Sequence, residues 1–284
     1  MTPKTASPRV AAEPFLKWAG GKSQLLTQLA RLYPSEVDRY FEPFVGSGAV
    51  FFDIQRRFGP RYVMLSDTNS ELINCYEVVR DSVEELIQLL IRHKERHHAR
   101  HPSHYYEVRD LSTVPLSPVE RAARLIYLNK TCYNGLYRVN AQGQFNVPIG
   151  RYKNPAIVDE GGLRAASRVL RGVRLAVQDF ARCLPRLHAG DFAYIDPPYF
   201  PLSRTSNFTA YTERGFGLAE QERLASSVRD LDAKGCLVML SNSDTAPVRK
   251  LYSGLRMHRV TARRAINSTG TGRGAITELV ITNF

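Results

Sequence analysis

GDFAYIDPPYF, residues 190–200, is the stretch whose reading decides the fold. Phe192 to Ile195 form a short β-branched and aromatic run that opens just after Gly190 and reads as a buried strand. The run ends in Asp196, which places an acid at a strand's carboxyl end, where open α/β sheets receive their ligands. Pro197 and Pro198 fix two consecutive φ angles, and Pro197 also restricts Asp196 before it. The product is a stiff turn offering a carboxylate, a backbone carbonyl and the ring of Tyr199 together. A planar ring carrying an amino group suits that arrangement, donating to the two oxygens and stacking on the tyrosine.

Two glycine-rich stretches lie upstream. FLKWAGGK (15–22) precedes a helical pattern through Leu25, Leu26, Leu29 and Leu32. It imitates a phosphate-binding P-loop but fails the match, because Leu16 stands where the first glycine belongs. Next, YFEPFVGSGAVFF (40–52) reads as a strand, a glycine turn and a helix from Ala49. Gly46 and Gly48 resemble the start of a dinucleotide fingerprint whose third glycine is replaced by Phe51. A further strand, Tyr62 to Ser66, ends in Asp67, an acid placed to accept hydrogen bonds from both hydroxyls of a ribose. A nucleoside cofactor fits that pattern better than a bare phosphate. A strand from Gly172 to Val177, ending in Asp179 and Phe180, adds an acid and an aromatic able to flank an adenine ring.

Composition sets the partner class. The 284 residues carry 39 Lys plus Arg against 27 Asp plus Glu, a formal net charge of +12 that suits a polyanion, most simply nucleic acid. Residues 129–155 are dense in Asn, Gly, Arg, Lys and Tyr, and Leu136 to Val139 and Gln144 to Pro148 flank a turn at 140–143, a hairpin-like projection. Basic residues interleaved with aromatics and amides supply phosphate and base contacts. Scattered Cys75, Cys132, Cys183 and Cys236 form no paired motif, so reduced thiols in a cytoplasm are expected. No apolar run approaches a membrane span, and residues 1–14 read as a flexible polar leader.

Elsewhere the periodicity predicts helices at Glu71 to Val79, Val83 to roughly Lys94, Val119 to Leu128 and Leu218 to Lys234. The five histidines within residues 93–104 lack metal-ligand spacing and read as a solvated basic face. Cys236 to Leu240 form a strand, and Arg256 to Val260 pairs with Ile276 to Asn283 around a basic, glycine-rich loop. Residues 203–211 read as a polar loop over the site.

FLKWAGGK, FEPFVGSG (41–48), YNGLYRVN (133–140) with FNVPIGRYKNP (145–155), YIDPPY (194–199) and SNFTAY (206–211) occur in the order that marks the Dam-type DNA adenine-N6 methyltransferases. The resemblance covers nearly the whole chain after the leader. It implies an α/β fold: a Rossmann-like seven-stranded sheet, mostly parallel, whose last strands form an antiparallel hairpin. Residues 15–82 and 166–284 would form the catalytic domain, and 83–165 an inserted helical target-recognition domain carrying the hairpin. The implied methyl donor is S-adenosylmethionine, held by Trp18, Lys22, Phe44, Gly46, Gly48, Asp67 and Asp196, with Asp179 and Phe180 as more variable members. Asp196, Pro197 and Tyr199 would be catalytic, methylating a flipped-out adenine directly, without a metal. The implied partner is double-stranded DNA, met by Lys17, Asn134, Leu136, Arg138, Pro148, Arg151, Tyr152, Asn207, Phe208 and Tyr211. The implied target is GATC, with Arg138 on guanine, a pairing worth about 1–3 kcal/mol of discrimination. The expected protein is a cytoplasmic, nucleoid-associated monomer, or a transient dimer on DNA. Rival readings are an adenine methyltransferase of another specificity paired with a restriction enzyme, and a non-catalytic DNA-binding module on the same scaffold.

Overall fold

The computed structural model describes residues 12–111, 115–200, 216–263 and 275–284. The chain divides into two compact units. Gly21–Gly46, Pro60–Ser70 and Val173–Phe284 make the sheet unit; Met1–Gly20, Ser47–Gly59 and Glu71–Gly172 make the helical one.

The sheet has seven strands: β1 Arg39–Glu42, β2 Tyr62–Asp67, β3 Arg174–Val177, β4 Phe192–Ile195, β5 Leu237–Ser243, β6 Arg256–Arg263 and β7 Ala275–Thr282. Their order is β3-β2-β1-β4-β5-β7-β6. The first five run parallel, and β7 is antiparallel to both of its neighbours. This is the Rossmann-like α/β arrangement that the motifs imply, with its terminal antiparallel hairpin. Every residue of central β4 is buried, and the two-residue period sorts them. Ala193 and Ile195 join the cluster built with Leu224, Val228 and Leu231 of the Leu218–Ala233 helix. Phe192 and Tyr194 take the other side, where Phe192 meets the rings of Tyr33, Tyr40 and Phe284 and Tyr194 shares a hydrogen bond with Ser241. Strand order reverses between β1 and β4, so the turn after β4 lies at the topological switch point.

In the helical unit, Ala49–Arg57 starts from Gly48, held at φ +68. A Cβ there would lie 2.6 Å from the Tyr76 hydroxyl, so only glycine fits this turn. The Pro118–Thr131 helix starts where the sequence signals it: Pro118 occupies the first turn, and Ser117 and Glu120 cap each other. Residues 132–149 form a narrow hairpin, bridged at Val139–Phe145 and Cys132–Ile149 and turned by Asn140, whose side chain accepts the N–H groups of Gln142 and Gln144.

Two expectations change. The leucine pattern after Lys22 forms short helical turns, Lys22–Gln24, Leu26–Leu29 and Ala30–Leu32, in place of one helix. The histidine tract is a solvated face only in part: His98 and His101 are exposed, whereas His97 and His104 are buried and His93 is half-buried. The Val83–Ala99 helix continues beyond Lys94, and its four-residue spacing sends His93 and His97 to one side. His93 stacks on Tyr127 at 4.9 Å and lies 3.1 Å from the buried His104; His97 shares a 2.9 Å hydrogen bond with the Tyr127 hydroxyl. Burial holds His93 and His97 down to about 4.

All four cysteines are free and buried. Among the described residues, no helix is long and apolar enough to cross a membrane, and no three His, Cys, Asp or Glu side chains are grouped to hold a metal ion.

Candidate active site

Within the sheet unit, Asp196 follows directly on β4, and Lys22 comes to it from far away in the chain: Nζ lies 2.8 Å from Asp196 Oδ2. Lys22 is itself buried. The other carboxylate oxygen, Oδ1, is buried and makes no hydrogen bond among the described residues. Burial raises the Asp196 carboxyl above its ordinary range, against the opposing pull of Lys22 and with a smaller push from Glu278. Tyr199 donates its hydroxyl to Glu278 Oε2 at 2.7 Å, and Lys22 Nζ sits 4.9 Å from its ring centre. The ring is therefore held at its tip and over its face. Burial, followed by the two nearby acids, pushes the Tyr199 hydroxyl well up, so it stays protonated and donates. Glu278 reaches this place because β7 pairs it with Ser243 at the carboxyl end of β5.

Asp67, at the end of β2, accepts the Asn69 N–H at 3.0 Å and the Gly46 N–H at 3.4 Å. Burial raises its carboxyl, and the amides of Asn69, Gly46 and Thr68 counter the rise. Phe44 and Phe180 face each other at 5.6 Å, with Phe216 edge-on to Phe44 at 5.5 Å. Asp179 has both oxygens on Arg223, at 2.7 and 2.8 Å, and caps the short Phe180–Cys183 helix through the Ala181 N–H. The Arg223 pair holds its carboxyl below the usual range. Phe180 is buried with Arg223 over its ring, 4.2 Å from the centroid.

Within the helical unit, the entry segment and the hairpin are tied together. Asn129, 1% exposed, accepts the Lys17 N–H at 2.9 Å and donates to the carbonyls of Lys17 at 2.7 Å and Gly135 at 3.0 Å. Gly135 has φ +64, and a Cβ on it would strike the Lys17 side chain at 2.7 Å. Lys17 Nζ lies 4.6 Å from the Tyr152 ring centre, and Trp18 stacks on Tyr137 at 5.3 Å. Asn134 takes the left-handed conformation, φ 56. Arg138 is exposed and held by Asn146 Oδ1 at 2.7 Å. Leu136 is half-buried, Pro148 and Arg151 are exposed, and the Pro148 carbonyl accepts the Tyr133 N–H.

Of the residues expected at the cofactor, Lys22 pairs with Asp196 and Trp18 stacks against the hairpin. Asn207, Phe208 and Tyr211 lie outside the described residues. Glu278, Arg223, Phe216 and Asn129 escaped sequence reasoning; an acid in a strand, or an amide in a helix, carries no local motif.

A carboxylate at the switch point, a second acid closing β2 and a basic aromatic hairpin define a class of nucleotide-handling enzyme, and residues 18–266 match the family described as D12 class N6 adenine-specific DNA methyltransferases. The chain belongs to that family and is an adenine-specific DNA methyltransferase. It is 42% identical over 282 residues to the type II methyltransferase M1.LlaDCHI of Lactococcus lactis subsp. cremoris, covering 97% of each chain. It is 43% identical to the type II methyltransferase M.MjaIII of Methanocaldococcus jannaschii, covering 96% of this chain and 99% of that one. It is 37% identical to the DNA adenine methylase of Escherichia coli strain K12, covering 94% and 93%.

Proposed function

We propose that the enzyme transfers a methyl group from S-adenosylmethionine to N6 of an adenine flipped out of duplex DNA, with GATC as its target. The observation that carries the chemistry is Asp196 Oδ1, a buried acceptor with no hydrogen-bond partner among the described residues, at the switch point of the sheet. Such an oxygen is costly unless a ligand donor satisfies it. An exocyclic amine is that donor, and the Pro197 carbonyl takes its second hydrogen. Both bonds draw the nitrogen out of conjugation with the ring, leaving its lone pair free to attack. Asp196 then accepts the proton, which becomes acidic only as the new bond forms. Tyr199, pinned by Glu278, offers the stacking face.

The residues present fit the donor. A carboxylate has about four acceptor sites, and Asp67, at the end of β2, keeps acceptor capacity for a ribose hydroxyl beside the backbone amides of Gly46, Thr68 and Asn69. Phe44 and Phe180 supply an apolar wall for the adenine. S-adenosylmethionine supplies, when bound, a methyl already activated by its sulfonium, so the protein's task is orientation. Asp179, both oxygens engaged by Arg223, serves to place Phe180.

DNA is met by Lys17, Asn134, Leu136, Arg138, Pro148, Arg151 and Tyr152, within a target-recognition segment at 83–165 and the entry segment around Lys17. Arg138 addresses guanine; its exposed guanidinium is already aimed by Asn146. A second reading, methylation of another adenine-containing site as partner of a restriction enzyme, draws on the relatives named type II methyltransferases. Methylation-sensitive sequencing of plasmid DNA from cells expressing the protein separates the two by reporting base and site together. GATC modified at N6 is the expected outcome, lost in Asp196→Ala. Another modified site supports the second reading, and modification persisting in Asp196→Ala refutes the assignment of Asp196.

A further inference from the structure

The turn that carries Asp196 is held from behind by side chains that belong to no motif. Gln221, on the Leu218–Ala233 helix, is 0% exposed and donates Nε2 to the Pro198 carbonyl at 2.9 Å. Its Oε1 accepts from Asn242 Nδ2 at 3.0 Å. Asn242, in β5 and equally buried, turns Oδ1 to the N–H groups of Phe200 at 3.3 Å and Ser243 at 2.8 Å. Ser243 Oγ closes the network by donating to the Phe200 carbonyl at 2.8 Å. Three main-chain groups on either side of Tyr199 are thus gripped by three side chains from two elements.

The turn needs such a grip. Two successive prolines remove two N–H donors, so the segment cannot bind its own backbone in the usual way. Their rings fix φ, and Pro198 also restricts ψ at Pro197, but ψ at Pro198 stays free and sets the direction in which Tyr199 leaves the turn. A donor on the Pro198 carbonyl fixes that angle from outside. Gln221 also stands in the helix stripe otherwise filled by Leu224, Ala225, Val228 and Leu231. A leucine there would cost less to bury than an amide that must be fully satisfied. Hydrophobic packing does not explain the choice, whereas geometry at the turn does.

We propose that Gln221 and Asn242 are positioning residues for methyl transfer, acting through the turn to set the Pro197 carbonyl, the Asp196 carboxylate and the Tyr199 ring. The inference rests on the turn being the transfer site. Its value to the enzyme is preorganisation: misplacement of reacting groups by about 1 Å costs on the order of 10²-fold in rate.

The test is single-turnover transfer from tritiated S-adenosylmethionine to a duplex carrying the site found by sequencing, with both dissociation constants and the melting temperature measured alongside. Gln221→Met keeps length and volume but loses the donor. Its transfer rate should fall about 10- to 100-fold, with both dissociation constants within about twofold; the stranded Pro198 carbonyl and Asn242 amide lower the melting temperature, so transfer is measured well below the transition. Asn242→Leu should behave alike, and the double variant should be no slower than the slower single, as expected of groups acting as one unit. Ser243→Ala, the mildest change, should slow transfer several-fold and keeps the test open should Gln221→Met fail to fold. Wild-type transfer in Gln221→Met or in Ser243→Ala overturns the proposal. So does a rate loss accounted for by weakened ligand binding or by the fraction unfolded at the assay temperature, because that marks a structural role. An Asp196→Ala arm separates the two levels: activity retained there defeats the site itself, whereas an inactive Asp196→Ala beside a fully active Gln221→Met defeats this inference alone.

Discussion

Lys22→Met removes the ammonium that sits 2.8 Å from Asp196 Oδ2 while keeping most of the side chain's volume. The pair is well buried, with side-chain exposures of 5% and 19%. Breaking such a pair by deleting one partner costs about 3–5 kcal/mol. The cost falls on the ionised form of the surviving acid, so it raises the pH at which Asp196 ionises. Burial already holds Asp196 above the ordinary carboxylate range, and Glu278 pushes the same way. Without Lys22 the acid should ionise at a higher pH than in the parent. Only the ionised form can accept the amine's proton, so activity in the variant should appear as pH rises. At neutral pH transfer should fall below the parent, recovering by up to about tenfold for each pH unit as the pH rises. The assay is single-turnover methyl transfer from pH 5.5 to 9.5, with calorimetric titration of S-adenosylmethionine at both ends. An equal loss at every pH, accompanied by weakened cofactor binding, would refute the reasoning and return Lys22 to the cofactor.

The histidine cluster makes the helical unit acid-sensitive. His93 and His97 stay neutral down to about 4 against an ordinary 6.5, so their contribution is whole above pH 6.5 and lost as pH falls towards 4. The ceiling is on the order of 3 kcal/mol per ring; melting followed by circular dichroism should drop across that window, and less so in His97→Gln. Gly48→Ala sets a Cβ 2.6 Å from the Tyr76 hydroxyl at φ +68 and should cost about 1–3 kcal/mol, read as a lower denaturant midpoint. Asn129→Leu strands three main-chain groups of Lys17 and Gly135 and should destabilise by about 2–5 kcal/mol. It should also weaken discrimination between the target and a one-base variant, measured as a ratio of kcat/KM; an unchanged ratio would mean the tie does not serve recognition.

The amino-acid sequence by itself determined the elements whose signals are local. The apolar run before two prolines made β4 and its turn, because burial and fixed φ angles act within a few residues. An acid closing an apolar strand located Asp67, and turn-forming Asn and Gly residues between aromatic flanks located the hairpin. His93 and His97 were misread because helix length, not composition, chose their face: the helix runs on to Ala99, and its period turns both rings inward. Tertiary structure alone decided the company Asp196 keeps. Lys22, Gln221, Asn242 and Glu278 come from segments scattered across the chain, brought to one place by the strand order β1-β4-β5-β7 and by the register that sets Glu278 beside Ser243. No window of sequence contains that order, since it follows from how non-local strands pair to bury the sheet. The DPPY turn thus states its chemistry locally, while its charge state and aim are properties of the assembled sheet.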